Sequence, residues 1–382
     1  MEKERTLMLN TPYYYVDETL LIQNLEILKS VKDQTGCKIL LAQKAFSMFS
    51  MYPLISQYLD GSAASSLYEV KLGHEKFGGE THIFSPAFSE REFDEILQNC
   101  DHLIFNTPAQ WKKFGQRALK ANKMCGLRIN PEFSTQNPEH AIYDPASEGS
   151  RLGTTLSVLT EALPDLNGLS GLHFHTLCEQ NSDDLAKTLA VIEEKFGALL
   201  FEMKWLNFGG GHHITREDYD LALLISEIKR MREKYDLEIY LEPGEAVVLN
   251  TGFLVSEVVD FVENAGVINA ILDTSAATHM PDVIEMPYRP MVIGSHEAGV
   301  CQYTYRMGGP SCLSGDVIGD YSFSTPLKVG DQLIFTDMAH YSMVKNNTFN
   351  GIGLPSIAIK QQNGEMKLIK TFGYDDFKMR LS

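Results

Sequence analysis

From about residue 38 to residue 245 the chain keeps one rhythm, a short apolar run followed by a longer amphipathic stretch. The runs are KILLA (38–42), GSAASS (61–66), HIFS (82–85), HLIF (102–105), GLRI (126–129), GLHFH (171–175), MKWLNF (203–208) and EIYLEP (238–243). Short apolar runs bounded by turn residues suit strands buried on both faces. Helical patterns follow most of them, at 90–100, 107–120, 183–200 and 216–235. In the last of these, Leu221, Leu224, Ile225 and Ile228 fall on one face. Eight strand–helix units predict an α/β fold, a parallel sheet closed into a (β/α)8 barrel of the TIM type. The segment 132–151 interrupts the rhythm and reads as a long loop near an active site.

After about residue 250 the texture changes to short β-type runs: GFLVSEVVDFV, GVINAIL, DQLIFT and IAIKQQNGEMKLIKTF. Asn363-Gly364 inside the last run is a hairpin signal. These runs predict a second, mainly antiparallel β domain. The early YYYVDE (13–18) reads as a strand that joins it. The expected division is a barrel over 20–248 and a β domain over 1–19 and 249–382.

The chain has 382 residues, enough for a large barrel and an appended domain. Its formal charge is −17, from 33 basic and 50 acidic residues. With no basic run, it does not read as a nucleic-acid binder. An acidic surface attracts cationic ligands. The six cysteines, at 37, 100, 125, 178, 301 and 312, form no zinc-type spacing. They are too scattered for a disulfide scaffold, which points to a reducing compartment. MEKERTLMLN carries no signal-peptide core, and no apolar run approaches the roughly 18 residues that span a bilayer. The expectation is a cytoplasmic protein.

A barrel of this kind places its chemistry at the C-terminal strand ends. Those ends carry Lys44, Arg128, His175, Gly209–Gly210–Gly211 and Glu242. A lysine ending an apolar run is either a rim residue in solvent or a desolvated nucleophile. Three successive glycines let backbone N–H groups approach an anion such as phosphate, or simply make a flexible turn. Glu242 in LEPGE is either a rim ion-pair partner or the group that keeps a ring nitrogen protonated and makes that ring an electron sink. Strand alternation puts His173 and His175 on one inward face, which suggests a stacked cofactor. The rival reading is a metal held by His173, His175, His212 and His213, and it leaves the lysine and the glycines without a role. In the second domain, Cys312 and Asp316 form C-x-S-x-D in a turn-rich stretch. This is either a loop with a small buried thiol or a catalytic thiol.

Taken in order, QKAF, GLHFH, the glycine triplet, EPG, C-x-S-x-D, and Tyr341 followed by Phe349-Asn350-Gly351 resemble one family. It is the pyridoxal-phosphate decarboxylases with an alanine-racemase-like barrel, which include the ornithine, arginine and diaminopimelate enzymes. EPGE, LDTSAATHMPDVIEMPYRP (272–290) and MAHYSMVK (338–345) resemble the branch that acts on carboxylated polyamines. The resemblance implies roles. Lys44 is the Schiff-base lysine, His175 stacks on the pyridoxal 5'-phosphate ring, Gly209 to Gly211 hold the phosphate, and Tyr341 stands near it. Glu242 partners the pyridine nitrogen. Cys312 protonates the carbanion and comes from the partner subunit, so an obligate homodimer is implied.

The departures from the family pattern are informative. Most relatives carry arginine where this chain has Glu245. An anion there disfavours a substrate with a distal carboxylate and favours a distal ammonium. Asp282 is the second candidate for that tail, Glu285 a weaker third, and Asp316 completes the set. Cys178 stands where several relatives have serine, and His340 where they have glycine, which leaves the phosphate contacts open. The implied reaction is decarboxylation of carboxynorspermidine or carboxyspermidine. A diaminopimelate decarboxylase, an amino-acid racemase and a non-catalytic cofactor-binding protein are the alternatives.

Overall fold

A computed structural model describes residues 9–137, 144–162 and 166–382. Residues 1–8 and part of the 132–151 loop, at 138–143, lie outside the described residues. The chain divides into two compact units, one of residues 24–247 and one of residues 1–23 with 248–382.

The first unit is a closed, wholly parallel barrel. The sheet domain contributes the first strand of the chain, β1 (Tyr13–Asp17). The barrel strands are β2 (Lys38–Ala42), β3 (Gly61–Ala64), β4 (Glu80–Phe84), β5 (His102–Phe105), β6 (Met124–Arg128), β7 (Gly171–His173), β8 (Trp205–Asn207) and β9 (Glu238–Leu241). Each pairs with its neighbour in sequence, and β9 closes on β2. The strands are apolar and buried along most of their length, because helices cover one face and the barrel core the other. Predicted helices form at Phe93–Asn99, Pro108–Lys120, Ser182–Leu200 and Leu221–Tyr235. The last starts five residues later than the hydrophobic pattern suggests. Asp220 sets its start, because its side chain accepts the Leu223 N–H at 2.9 Å and caps the first turn. Leu224, Ile228, Met231 and Tyr235 form its buried face, and Ile225 lies at its edge.

The barrel interior is packed around Leu40, Ala63, Ile104, Trp205 and Tyr240. Gly126, Gly171 and Trp205 form one row across β6, β7 and β8. A Cβ at Gly126 would lie 2.2 Å from the indole, and one at Gly171 1.9 Å from it. The two glycines therefore make the space that the ring fills. At the N-terminal strand ends, Lys38 bridges Glu80 and Glu238, and the His82 and His102 rings stack 3.9 Å apart beside them.

The second unit is a mainly antiparallel sheet. Its strands after β9 are β10 (Gly252–Asn264), β11 (Val267–Leu272), β12 (His296–Glu297), β13 (Tyr303–Gly308), β14 (Val317–Phe323), β15 (Gln332–Thr336), β16 (Ser356–Lys360) and β17 (Met366–Lys370). The order is β12-β14-β13-β11-β10-β1-β16-β17, with β15 on β10. The strand at 13–17 thus lies between β10 and β16, antiparallel to one and parallel to the other. Asn363-Gly364 does turn a hairpin: Gly364 has φ +88°, and Asn363 Oδ1 accepts the Glu365 N–H at 3.0 Å. Among the described residues, no helix is long and apolar enough to cross a membrane.

Replacing Gly171 by alanine should drive a methyl into Trp205. The expected loss is about 1–3 kcal/mol, seen as a clearly lower melting temperature on thermal unfolding.

Candidate active site

The parallel strands bring five segments to one mouth of the barrel. Lys44 sits in the turn just after β2. That turn is fixed by its neighbour Gln43, which is fully buried. The Gln43 backbone N–H donates to Ala63 O at 3.0 Å, its Nε2 donates to Glu69 O at 2.9 Å, and Tyr52 donates to its Oε1 at 3.2 Å. The lysine side chain is exposed to solvent at the mouth. Desolvation, followed by the Arg128 charge, lowers its pKa from the ordinary lysine value, while Glu242 opposes the shift.

Glu242 follows β9, and its side chain is 12% exposed. Its Oε1 accepts from Asn207 Nδ2 at 2.7 Å, and its Oε2 lies 3.4 Å from His173 Nε2. Burial alone would raise its pKa, but His173 and Asn207 hold it down at about 2. The group is therefore a carboxylate at every ordinary pH. Arg128, at the end of β6, is buried and lies with its guanidinium 4.5 Å from the centre of the Phe84 ring. It donates from Nη2 to His175 O at 3.0 Å. Desolvation lowers it to about 10, against the pull of Glu242, so it remains a cation.

β7 ends at His173, so the strand alternation does not extend to His175. His173 is buried inside the barrel and stacks on Phe84. His175 lies on the following loop, where its Nδ1 accepts the Gly210 N–H at 2.7 Å. Burial, Lys44 and Arg128 push its pKa well below the ordinary value, so the ring is neutral and carries its hydrogen on Nε2.

The glycine triplet is needed for close packing as much as for flexibility. A Cβ at Gly209 would lie 2.4 Å from Phe174 O, one at Gly210 2.5 Å from Glu242 O, and one at Gly211 1.9 Å from Leu177 O. Gly209 and Gly211 also have φ of +70° and +83°. The Gly209 N–H donates to Asn207 Oδ1 at 2.8 Å, and the Gly210 N–H is taken by His175. Among the described residues, Gly211 supplies the one amide of the three with no protein acceptor. Cys178 lies at the same mouth, and burial pushes its thiol up to about 11. Glu245 Oε1 is 3.6 Å from His213 Nε2. The four histidines weighed as a metal set do not converge. His212 Nε2 faces Phe208 O at 3.3 Å, while the other three turn to Glu242, Gly210 and Glu245.

The sheet domain holds a second group of candidates. Cys312 is exposed in the loop between β13 and β14, and its N–H donates to Asn350 Oδ1 at 2.7 Å. Asp316 is buried, and its carboxylate accepts the N–H groups of Ser311 and Ala277 at 3.2 and 3.3 Å. These bonds tie the Cys312 loop to the backbone at Ala277. Asp282 is buried and paired with Lys345, which also lies 3.3 Å from Glu285. Tyr341 has φ +54° and ψ −37°, a strained conformation for tyrosine. His340 Nε2 is 3.0 Å from Asp337 Oδ1.

The motifs QKAF, MKWLNF, Phe349-Asn350-Gly351 and MAHYSMVK contain Gln43, Asn207, Asn350 and Lys345, but the sequence assigned no task to these four or to Arg128. Gln43 and Asn207 lie inside quoted motifs, so their place close to Lys44 and Gly209 was the available signal. Nothing local marks Asn350 or Lys345 as partners of Cys312 and Asp282.

A lysine of lowered pKa, a buried carboxylate and a glycine loop meet at one barrel mouth, a set that could hold a ring cofactor bearing an aldehyde and an anionic group. Comparison with known proteins gives the family. Residues 14–339 match the model described as pyridoxal-dependent decarboxylase, C-terminal sheet domain. The chain belongs to this family and is a carboxy-lyase. It is 42% identical to carboxynorspermidine/carboxyspermidine decarboxylase of Campylobacter jejuni, over 97% of this chain and 98% of that protein. It is 41% identical to carboxyaminopropylagmatine decarboxylase of Synechocystis sp., over 100% of this chain and 98% of that protein. The crystal structure of carboxynorspermidine decarboxylase from C. jejuni complexed with norspermidine matches with a TM-score of 0.90 and 42% identity. That match covers 97% of this chain and 100% of the other.

The residues present fit pyridoxal phosphate. Lys44 offers an amine of lowered pKa for its aldehyde, Glu242 an anion for its ring nitrogen, and Gly211 an amide for its phosphate.

Because Glu242 supports the Lys44 cation and Arg128 opposes it, Glu242→Gln should lower the Lys44 pKa further and Arg128→Gln should raise it. Titration of 13C-methylated Lys44 by NMR in the cofactor-free protein checks both directions.

Proposed function

We propose that this enzyme decarboxylates amino acids whose side chain is a cationic polyamine, with carboxynorspermidine and carboxyspermidine as substrates and norspermidine and spermidine as products. The observation that carries this reading is the nearly full-length similarity to a relative whose structure holds norspermidine. Glu245 supports it, because a carboxylate at the barrel rim suits a distal ammonium and repels the distal carboxylate of diaminopimelate. The net charge of −17 favours encounter with a polycation. A carboxylated aminopropylagmatine is a second reading, favoured by the Synechocystis relative. All these substrates share a carboxylated aminopropyl group on a cationic tail.

Pyridoxal phosphate, when bound, supplies an aldehyde carbon for amines and a protonated ring that takes up the electron pair left by departing CO₂. The protein residues then have separate tasks. Lys44 holds the cofactor, and its lowered pKa makes the free amine easier to present. Glu242, ionised throughout, keeps a proton on the ring nitrogen. His175 is fixed by Gly210 and presents a neutral ring face that keeps water away. Arg128 places a buried positive charge beside the reacting groups, where it helps to orient an anion. Tyr341 and Gly209 to Gly211 are assigned to the phosphate side.

Cys312 is proposed as the proton donor to the substrate carbon. Its exposed loop tip suits delivery to the barrel of a second copy, hence a homodimer with shared sites. Glu245 and Asp282 are the proposed acceptors for the tail, while Asp316 shapes the Cys312 loop. The six free cysteines support a cytoplasmic setting.

The test is CO₂ release and product chromatography with carboxynorspermidine, carboxyspermidine, carboxyaminopropylagmatine and meso-diaminopimelate. Turnover of the polyamine acids is expected, and turnover of diaminopimelate alone would overturn the substrate assignment. A charge-assisted bond contributes about 1.5–3 kcal/mol. Glu245→Gln should therefore raise KM for the polyamine acid by about tenfold or more, with a smaller fall in kcat. An unchanged kcat/KM would remove Glu245 from the tail site.

A further inference from the structure

Lys345 ends the short helix Ser342–Lys345 of the sheet domain. Its ammonium is paired with Asp282 and lies 3.3 Å from Glu285 Oε2. It also lies 5.6 Å from the centre of the Tyr341 ring. Two carboxylates and an aromatic face form a cage for an alkylammonium ion, through charge-assisted hydrogen bonds and a cation–π contact. Asp282 is only 9% exposed, so a cation beside its carboxylate offsets the cost of burying that charge. The chain's own primary amine now supplies that cation.

We propose that Lys345 is a resident counter-ion that the cationic tail of the substrate must displace, and that it sets the affinity of the enzyme for such tails. The inference rests on the assignment of Asp282 to the tail site. The exchange is feasible on the geometry. The Lys345 side chain is 33% exposed on a flexible four-carbon stem. Glu285, 59% exposed, can keep the lysine as it swings outward. One ammonium then replaces another on Asp282, and the buried carboxylate is never left bare.

The arrangement has two consequences for binding. The tethered amine competes at a high effective concentration, so it weakens substrate and product alike and helps the product leave. An uncharged side chain gains no contact with Asp282 by displacing the lysine, so such amino acids are rejected.

The experiment uses the holoenzyme carrying Lys345→Met or Lys345→Arg. The readings are KM and kcat for carboxynorspermidine and inhibition by norspermidine. Removing a competing state raises apparent affinity in proportion to its population. For Lys345→Met, KM should fall and norspermidine inhibition should tighten, each by about fivefold or more, with a smaller change in kcat. Lys345→Arg should remain close to the wild type. Adding Asp282→Asn to Lys345→Met should abolish the gain, as a coupled pair requires. If Lys345→Met fails to fold, Lys345→Gln carries the same test. An unchanged or raised KM in a folded variant overturns the proposal. Wild-type enzyme inert toward carboxynorspermidine would instead overturn the substrate assignment, which separates the two failures.

Discussion

The barrel mouth is organised around one negative charge. Glu242 is an ionised carboxylate in a largely buried position, and such a group is stable only when its neighbours answer it. Asn207 donates to one oxygen and His173 approaches the other. Asn207 also accepts the Gly209 N–H, so the residue that holds Glu242 also holds the first glycine of the loop. Gly210 in turn fixes His175, and the His175 carbonyl accepts from Arg128. Anion, glycine loop, imidazole and guanidinium are therefore one connected network. Lys44 sits between its opposing charges, supported by Glu242 and opposed by Arg128.

That connection changes what the glycine triplet does. Three glycines at a strand end suggest amides aimed at a phosphate. Here two of the amides serve the protein's own side chains, and the missing side chains allow backbone to pack against Phe174, Glu242 and Leu177. The loop is rigid because each glycine is crowded. The rigidity carries over to His175, whose ring orientation and hydrogen placement follow from the Gly210 amide.

Much of this was legible in the chain because parallel barrels give strand ends a fixed meaning. Lys44, Glu242 and the triplet could be placed from KILLA, EIYLEP and MKWLNF, since those runs are buried on both faces and all point one way. The strand at 13–17 was legible as a short β-type run, and Asn363-Gly364 from its turn chemistry. What escaped was decided partly by local caps and partly by partners distant in sequence. The start of the helix at Leu221 depended on Asp220 outcompeting the hydrophobic pattern. The fate of the glycine amides depended on His175 and Asn207. β13 and β14 were hidden because YTYRMG and VIGDYSF are half-exposed and carry polar residues, Arg306 and Asp320 among them. Asp282 and Asp316 looked alike as acids near motifs. Only the fold shows one paired with an ammonium and the other with backbone amides.

The contact between Cys312 and Asn350 bears on how such a chain can diversify. The thiol sits on a loop tip, the part of a domain most easily exchanged. Its backbone, however, is moored to an asparagine from a separate turn, itself at φ +58°. The two segments, 309–316 and 349–351, therefore behave as one heritable unit. A chimera that imported the first without the second would carry the sulfur but not its aim. Recombination between relatives should accordingly preserve the two segments together or remodel both.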